Sequence, residues 1–328
     1  MNAESHTTGP LLTISSPYRE DSIVSVAQAA TAASRLRAFY TTLYLARYQA
    51  LAERVPGLPS SVARELGRRR FSGIDPARIQ SVASFSELLN VGARRTLGTV
   101  APAVSAALMY RSALSFDAAV SRRVARHPVE AIVGMNTASL RTFRVAQGRG
   151  GLKVLNCVTS HPAEMNRLLA QFAGIKPPHH EFAPEWDAVH RDQELELADL
   201  VLVPSKFVAS QLLLRGVSPG KIAALPYGAD PAEFRPRSLA EKSSSPLRKV
   251  ECLYVGHISY RKGIPVLLDA ARRCRDLPIT FRLIGLVISS ETMEGMPDNV
   301  VYDGVTTQGG VADAMRRADL FDTARFLP

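Results

Sequence analysis

Cysteine is scarce in this chain. Cys157, Cys252 and Cys274 are the three in 328 residues, far apart and with no Cys-x-x-Cys pair. That count excludes a disulfide framework and a cysteine metal cluster, and it makes a reducing cytoplasm the expected compartment. No apolar run approaches the ~18 residues that a membrane span needs. Met1 to Pro10 is polar and lacks the basic and apolar regions of a signal peptide. The protein is therefore expected to be soluble, or peripheral at the inner face of a membrane. Zinc-finger spacing and the aromatic signature of RNA-binding sheets are also missing, so nucleic acid is not an expected partner. The turn Ser15 to Ser22 contains no Gly-x-Gly-x-x-Gly, which removes the dinucleotide fingerprint, and no cofactor is expected.

What is present is a globular composition with an excess of positive charge. Hydrophobic residues make up 46%, enough for packed cores, and 40 Lys and Arg against 30 Asp and Glu leave a formal charge of +10. The excess is spread along the chain without a long polybasic block, so it favours anionic partners such as phosphorylated metabolites or lipid head groups without choosing among them. A chain of this length suggests two domains of about 100 to 200 residues.

Apolar runs of strand length alternate with segments of helical period. Leu11–Ile14 and Ile23–Leu36 read as a first strand and an Ala-rich helix. Phe39–Leu45 reads as a second strand entering a helix, Tyr44–Arg54. Arg35, Arg37, Arg47 and Arg54 surround its Leu and Tyr residues, which suits either contact with an anionic membrane surface or a solvated helix face. Ser60–Arg70 is a short basic helix. Ile79–Ala83 is a strand, and Ser84–Leu97 a helix with the capping-box pair Ser84 and Glu87. Ala101–Arg126 is helical in composition, with a break expected near Ser115. Ala131–Gly134, Leu140–Gln147 and Lys153–Val158 then read as strand, helix, strand. Leu200–Val203, a helix from Ser205 to Arg215 closed by Gly216, and Ile222–Leu225 follow. This rhythm implies a parallel sheet covered on both faces.

Ser238–Lys249 is Ser-, Pro- and charge-rich without apolar period, a linker by composition. The expected organisation is thus a domain over residues 1–240, a linker over 241–249 and a second, smaller domain over 250–328. Only about 80 residues lie in that last part, too few for a complete doubly wound domain of the usual size.

The second part opens on Lys249 to Gly285. Val250–Val255 is a short β-branched run that suits a buried parallel strand, Gly256 ends it, and from Gly263 onward Leu267, Leu268, Ala271 and Cys274 recur at helical spacing. The loop between them faces a helix N-terminus. Free backbone N–H groups, the positive end of the helix dipole and the Lys262 ammonium would seat a phosphate or diphosphate there. The same residues also fit an ordinary βα turn with a solvated Arg261–Lys262 pair.

His161 follows the strand Lys153–Val158, at the strand end where ligands of open parallel sheets bind. There it can act as a base, donate to an acceptor or bind phosphate, and it can equally cap the next helix, Ala163–Phe172. His179, His180 and Glu185 stand in and beside the Pro-rich loop Lys176–Pro184, but neither their spacing nor a Cys partner supports a metal site, and none is expected.

Three ordered motifs carry a family resemblance: Glu196-Leu-Ala-Asp-Leu-Val-Leu-Val-Pro-Ser205; Gly216-Val-Ser-Pro-Gly-Lys-Ile-Ala-Ala-Leu-Pro-Tyr-Gly-Ala-Asp230 with Phe234 and Pro236; and Tyr254-Val-Gly-His-Ile-Ser-Tyr-Arg-Lys-Gly263. Together, over Asn156 to Phe321, they resemble the retaining, nucleotide-sugar-dependent glycosyltransferases of family four. The resemblance implies an α/β fold of two Rossmann-like domains facing a cleft, the second incomplete here. It implies transfer of a hexose from a nucleotide-diphosphate sugar to a glycan, lipid or polysaccharide acceptor. It assigns the donor diphosphate to Gly256, His257, Arg261, Lys262 and Gly263, with Lys262 countering the charge of the leaving nucleoside diphosphate, and it makes His161 the acceptor-side histidine.

Two departures accompany it. His257 stands where the family usually has Arg, and a neutral imidazole supplies less charge than a guanidinium. The resemblance also stops at Phe321, before the family's two donor-gripping carboxylates, which leads to the expectation of a truncated reading frame with weak donor binding. Two other readings follow from the same residues: a non-catalytic remnant that binds an acceptor or partner, and a nucleotide-sugar epimerase of similar architecture.

Overall fold

A computed structural model describes residues 9–44, 71–96, 102–171, 177–178, 181–237, 249–288 and 290–322. The basic segment with Arg47 and Arg54, the helix ending in Arg68–Arg70, the pair His179 and His180, and most of the expected linker lie outside the described residues. The chain divides into two compact units: Met1–Arg95, Val104–Pro162 and Pro184–Tyr227 form the first, and Thr96–Ala103, Ala163–Ala183 and Gly228–Pro328 the second.

The first unit is built on a seven-stranded sheet. Its strands are β1 (Leu12–Ser16), β2 (Leu36–Thr41), β3 (Ile79–Ser81), β4 (Ala131–Met135), β5 (Leu152–Asn156), β6 (Leu200–Val203) and β7 (Ile222–Ala224), in the order β3-β2-β1-β4-β5-β6-β7 and all parallel. This is the doubly wound order: strands are added outward on one side of β1 and then, from β4, on the other. Every residue of β4 is buried, as a central parallel strand covered on both faces requires. The two-residue strand period splits its side chains, Ile132 joining one core with Phe116, Phe143 and Leu155, Val133 and Met135 another with Ile14, Ile23 and Phe39.

Two helices differ from the sequence expectation. The first, α1, runs over Asp21–Ala32 and not to Leu36. Ser34 takes a left-handed φ of 55° and the Arg35 N–H closes on the Ala30 carbonyl at 2.7 Å, which ends the helix and frees Leu36, Ala38 and Phe39 for β2. After α2 (Ser84–Thr96), α3 is one continuous helix over Pro102–Arg126, with no break near Ser115. Ser115 is exposed to water, while Ser112, Phe116, Val120 and Val124, four residues apart, form a buried stripe along the helix. The remaining helices before β8 are α4 (Leu140–Gln147), α5 (Pro162–Gln171), which from Ala163 on belongs to the second unit, α6 (Glu185–Leu197) and α7 (Lys206–Leu214). Ser205 caps α7 by accepting the Val208 N–H at 3.2 Å, and Gly216 follows its end with φ +84°.

The second unit carries β8 (Val250–Val255), β9 (Ile279–Ile284), β10 (Val300–Gly304) and β11 (Leu320–Asp322), a parallel sheet in the order β10-β9-β8-β11, with helices α8 (Ile264–Arg273) and α9 (Gln308–Arg317). Strand addition runs outward from β8 to β10 and then returns to β8's other side. The carboxyl end of β8 therefore sits where the winding direction reverses, the position at which open α/β sheets bind ligands. Ile264, Leu267, Leu268 and Ala271 of α8 pack on Cys252, Tyr254 and Phe281. Among the described residues no helix is long and apolar enough to cross a membrane.

Candidate functional site

At the carboxyl end of β8 the chain turns through Gly256 to Gly263. Two glycines make this turn possible by close backbone approach. A Cβ on Gly256 would meet the Tyr254 hydroxyl at 2.8 Å, and one on Gly285, at the end of β9, would collide with the Gly256 carbonyl. The loop stays in the sheet's register through Gly256 N–H to Ile284 O at 2.9 Å and Ile258 N–H to Leu286 O at 2.9 Å, while the Tyr254 hydroxyl donates to His257 O at 2.8 Å. A single 3-10 turn, Tyr260–Lys262, leads to Gly263, whose φ of +77° starts α8.

The free N–H groups expected before α8 are largely used by this turn itself. Lys262 and Ile264 donate to Ser259 O, Gly263 to Tyr260 O, and Val266 and Leu267 to Gly263 O. The Tyr260 N–H is taken by a side chain, the Glu181 carboxylate at 3.0 Å. What the loop offers an anion is chiefly its cations. Arg261 and Lys262 are both half-buried at the foot of α8, and an Arg261 guanidinium nitrogen rests 3.8 Å from Met165 Sδ.

His257 adds little charge. Desolvation, then the Arg261 and Lys262 cations, lower its pKa below the ordinary histidine value, against the opposing pull of Glu181. The residue is exposed to solvent. The imidazole is neutral at physiological pH, and the positive charge of the loop rests on Arg261 and Lys262.

His161 belongs to the first unit, beyond the carboxyl end of β5, and its residue is 1% exposed. Nε2 lies 3.2 Å from Asp192 Oδ1 of α6. Burial, then the charge of Arg215, push its pKa down to about 4, with Asp192 opposing. The contact is therefore one between a neutral imidazole and a carboxylate that Arg215 already holds in a two-pronged pair, Nε to Oδ1 at 3.2 Å and Nη2 to Oδ2 at 2.7 Å. His161 and the Gly256–Gly263 loop lie in different units.

A feature not anticipated from the sequence occupies the reversal point of the first sheet, after β4. Glu194, fully buried, accepts the Thr137 N–H at 2.7 Å and the Ser139 N–H at 2.9 Å, and Asp117, also fully buried, accepts those of Arg141 and Thr142 at 2.8 and 2.9 Å. Asp187 accepts the Thr137 hydroxyl at 3.0 Å and the Tyr110 hydroxyl at 3.2 Å. Internal carboxylates thus fill the helix N-terminus where a phosphate would otherwise sit. The signal available beforehand was an acid among apolar or small neighbours: Asp117 in Ser-Phe-Asp-Ala-Ala-Val, and Glu194 in a helix with a buried face.

No protein-family model matches the chain, and no curated protein sequence matches it. Solved structures do. The fold is that of the GT-B glycosyltransferases, two Rossmann-like domains with parallel sheets. A sucrose-phosphate synthase from Thermosynechococcus elongatus aligns with a TM-score of 0.57 at 17% identity, over 96% of this chain and 75% of that one. A trehalose-6-phosphate synthase aligns with 0.53 at 13% identity, over 96% and 78%. HepE from Anabaena, in complex with UDP, aligns with 0.54 at 13% identity, over 98% and 75%.

Proposed function

We propose that this protein is a glycosyltransferase that moves a hexose from a nucleotide-diphosphate sugar to a glycan, lipid or polysaccharide acceptor, in the manner of the retaining family four enzymes. The observation that carries this reading is the contrast between the two reversal points. In the first unit the helix N-terminus after β4 is filled by Glu194 and Asp117. In the second, the turn after β8 is set by the close packing of Gly256 on Tyr254 and of Gly285 on Gly256, and it presents the half-buried Arg261 and Lys262.

Departure of a nucleoside diphosphate develops negative charge on the leaving oxygen, and a fixed cation in a partly desolvated loop stabilises that charge as it grows. Lys262 is assigned this role, with Arg261 supplying the charge that His257 does not. The solved relatives named for UDP, sucrose phosphate and trehalose phosphate are consistent with such a donor. His161, neutral and buried, enters this reading as the catalytic, acceptor-side histidine in the loop after β5. The net charge of +10 suits an anionic acceptor or peripheral contact with an anionic membrane.

Calorimetric titration with UDP, GDP and ADP and the matching monophosphates tests the reading. One diphosphate is expected to bind at least about tenfold more tightly than its monophosphate, since the loop's cations act on the second phosphate. Equal, weak binding of all six would remove the reading.

A further inference from the structure

Glu181 stands out in the second unit. The residue is 9% exposed, and its carboxylate is hydrogen-bonded at 3.0 Å to the Tyr260 N–H, the first residue of the turn that carries Arg261 and Lys262. Its negative charge is also felt by His257 within the same loop. Two other acids, Glu291 and Glu294, act on the Tyr260 ring, but both are exposed to water. A buried carboxylate on a loop N–H, beside two cations, has the chemistry of a phosphate oxygen in the same place: an anionic acceptor in a charge-assisted hydrogen bond. It comes from a different stretch of chain, 79 positions before the residue whose N–H it holds, so it is not itself part of the loop.

We infer that Glu181 is an internal anion that occupies the seat of the nucleotide diphosphate in the Gly256–Gly263 loop and must be displaced for the donor to bind. This rests on the proposed donor site. A diphosphate brought against a fixed carboxylate would be repelled at close range, and the cations cannot neutralise both at once. Donor occupancy and the position of the chain around Glu181 are thereby coupled: with no donor the carboxylate holds the turn, and with donor bound the turn is held by phosphate.

The test uses the full chain and UDP as the probe, in three arms. Glu181→Gln keeps an oxygen that can accept the Tyr260 N–H but removes the charge. It is expected to bind UDP about tenfold more tightly than the unchanged protein, the scale of removing one like charge from a partly buried anion site. Lys262→Ala is expected to bind it more weakly. In the unchanged protein, amide hydrogen exchange is expected to slow in peptides covering the 256–263 loop and to quicken in peptides containing Glu181 when UDP is added. That opposite response is one that a purely structural glutamate would not give, and it needs no variant to fold. Glu181→Gln binding UDP equally or more weakly, or protection of the Glu181 peptides by UDP, would overturn the inference while leaving the donor site in place. Unchanged affinity in Lys262→Ala would remove the donor site itself.

Discussion

Glu194 holds Thr137 by its backbone: the buried carboxylate accepts the Thr137 N–H at 2.7 Å, and Thr137 sits at a φ of +69° that a threonine seldom adopts. The second oxygen takes the Ser139 N–H at 2.9 Å, so one side chain satisfies two buried donors and fixes the loop between β4 and α4. Replacing it with alanine leaves both donors without that acceptor and the strained residue without its tie. Glu194→Ala is expected to lose about 3 kcal/mol of stability, the sum expected for two buried N–H groups deprived of a charged acceptor. Urea denaturation read by circular dichroism checks this, and a loss below about 0.5 kcal/mol would show that water or a shifted side chain replaces the carboxylate.

Gly285 is expected to tolerate no side chain. Its φ is +153° and a Cβ would run into the Gly256 carbonyl, which is part of the sheet's rigid end. Gly285→Ala should force β8 and β9 apart at their carboxyl ends. The expected outcome is a destabilisation of about 1–3 kcal/mol together with weaker UDP binding, because the same displacement moves the turn that carries Lys262. Gly309→Ala, at an open position in α9, serves as the control and is expected to leave UDP binding unchanged without loss of stability. UDP affinity preserved in Gly285→Ala would separate the glycine contact from the candidate site.

His161 makes stability depend on pH. Its folded pKa of about 4 lies below the 6.5 of an ordinary histidine, so below pH 6.5 the unfolded chain binds a proton that the folded protein refuses. Stability from this group is therefore fully present above about pH 6.5 and is lost progressively as the pH falls toward 4. His161→Asn should flatten the urea midpoint across that window. An unchanged pH profile would mean that His161 titrates alike in the folded and unfolded chain, and a change of the opposite sign, with stability lost in the variant at low pH, would mean that the imidazole is protonated in the folded protein, paired with Asp192.

The parts of this fold legible in the sequence were those encoded by local, continuous signals. β6 is an uninterrupted apolar run and β8 an apolar run broken only by Glu251, ended by Pro204 and Gly256, and α7 is bracketed by the Ser205 cap and Gly216, so these strand and helix ends could be read directly. The end of α1 could not, because Ser34 performs the left-handed turn that a glycine usually signals. Nor could the unbroken course of α3, since Ser115 has the composition of a break but faces water.

The candidate site divides in the same way. The Gly256–Gly263 loop and its two cations follow from motif and spacing. The long-range carboxylates do not: Glu181 reaches Tyr260 of that loop across 79 positions of chain, and in the first unit Glu194 reaches Thr137 across 57. Such bonds depend on tertiary approach alone, and an acid in a helix or loop otherwise reads as a solvated charge.

The most direct measurement is the affinity of UDP, by calorimetry, for the unchanged protein and for Lys262→Ala and Arg261→Ala. The account predicts saturable binding that weakens at least about tenfold in Lys262→Ala, the loss expected when one charge-assisted phosphate contact is removed from a half-buried site. Arg261→Ala should weaken it less. Saturable binding of equal affinity in all three proteins would contradict the assignment of the diphosphate to this loop.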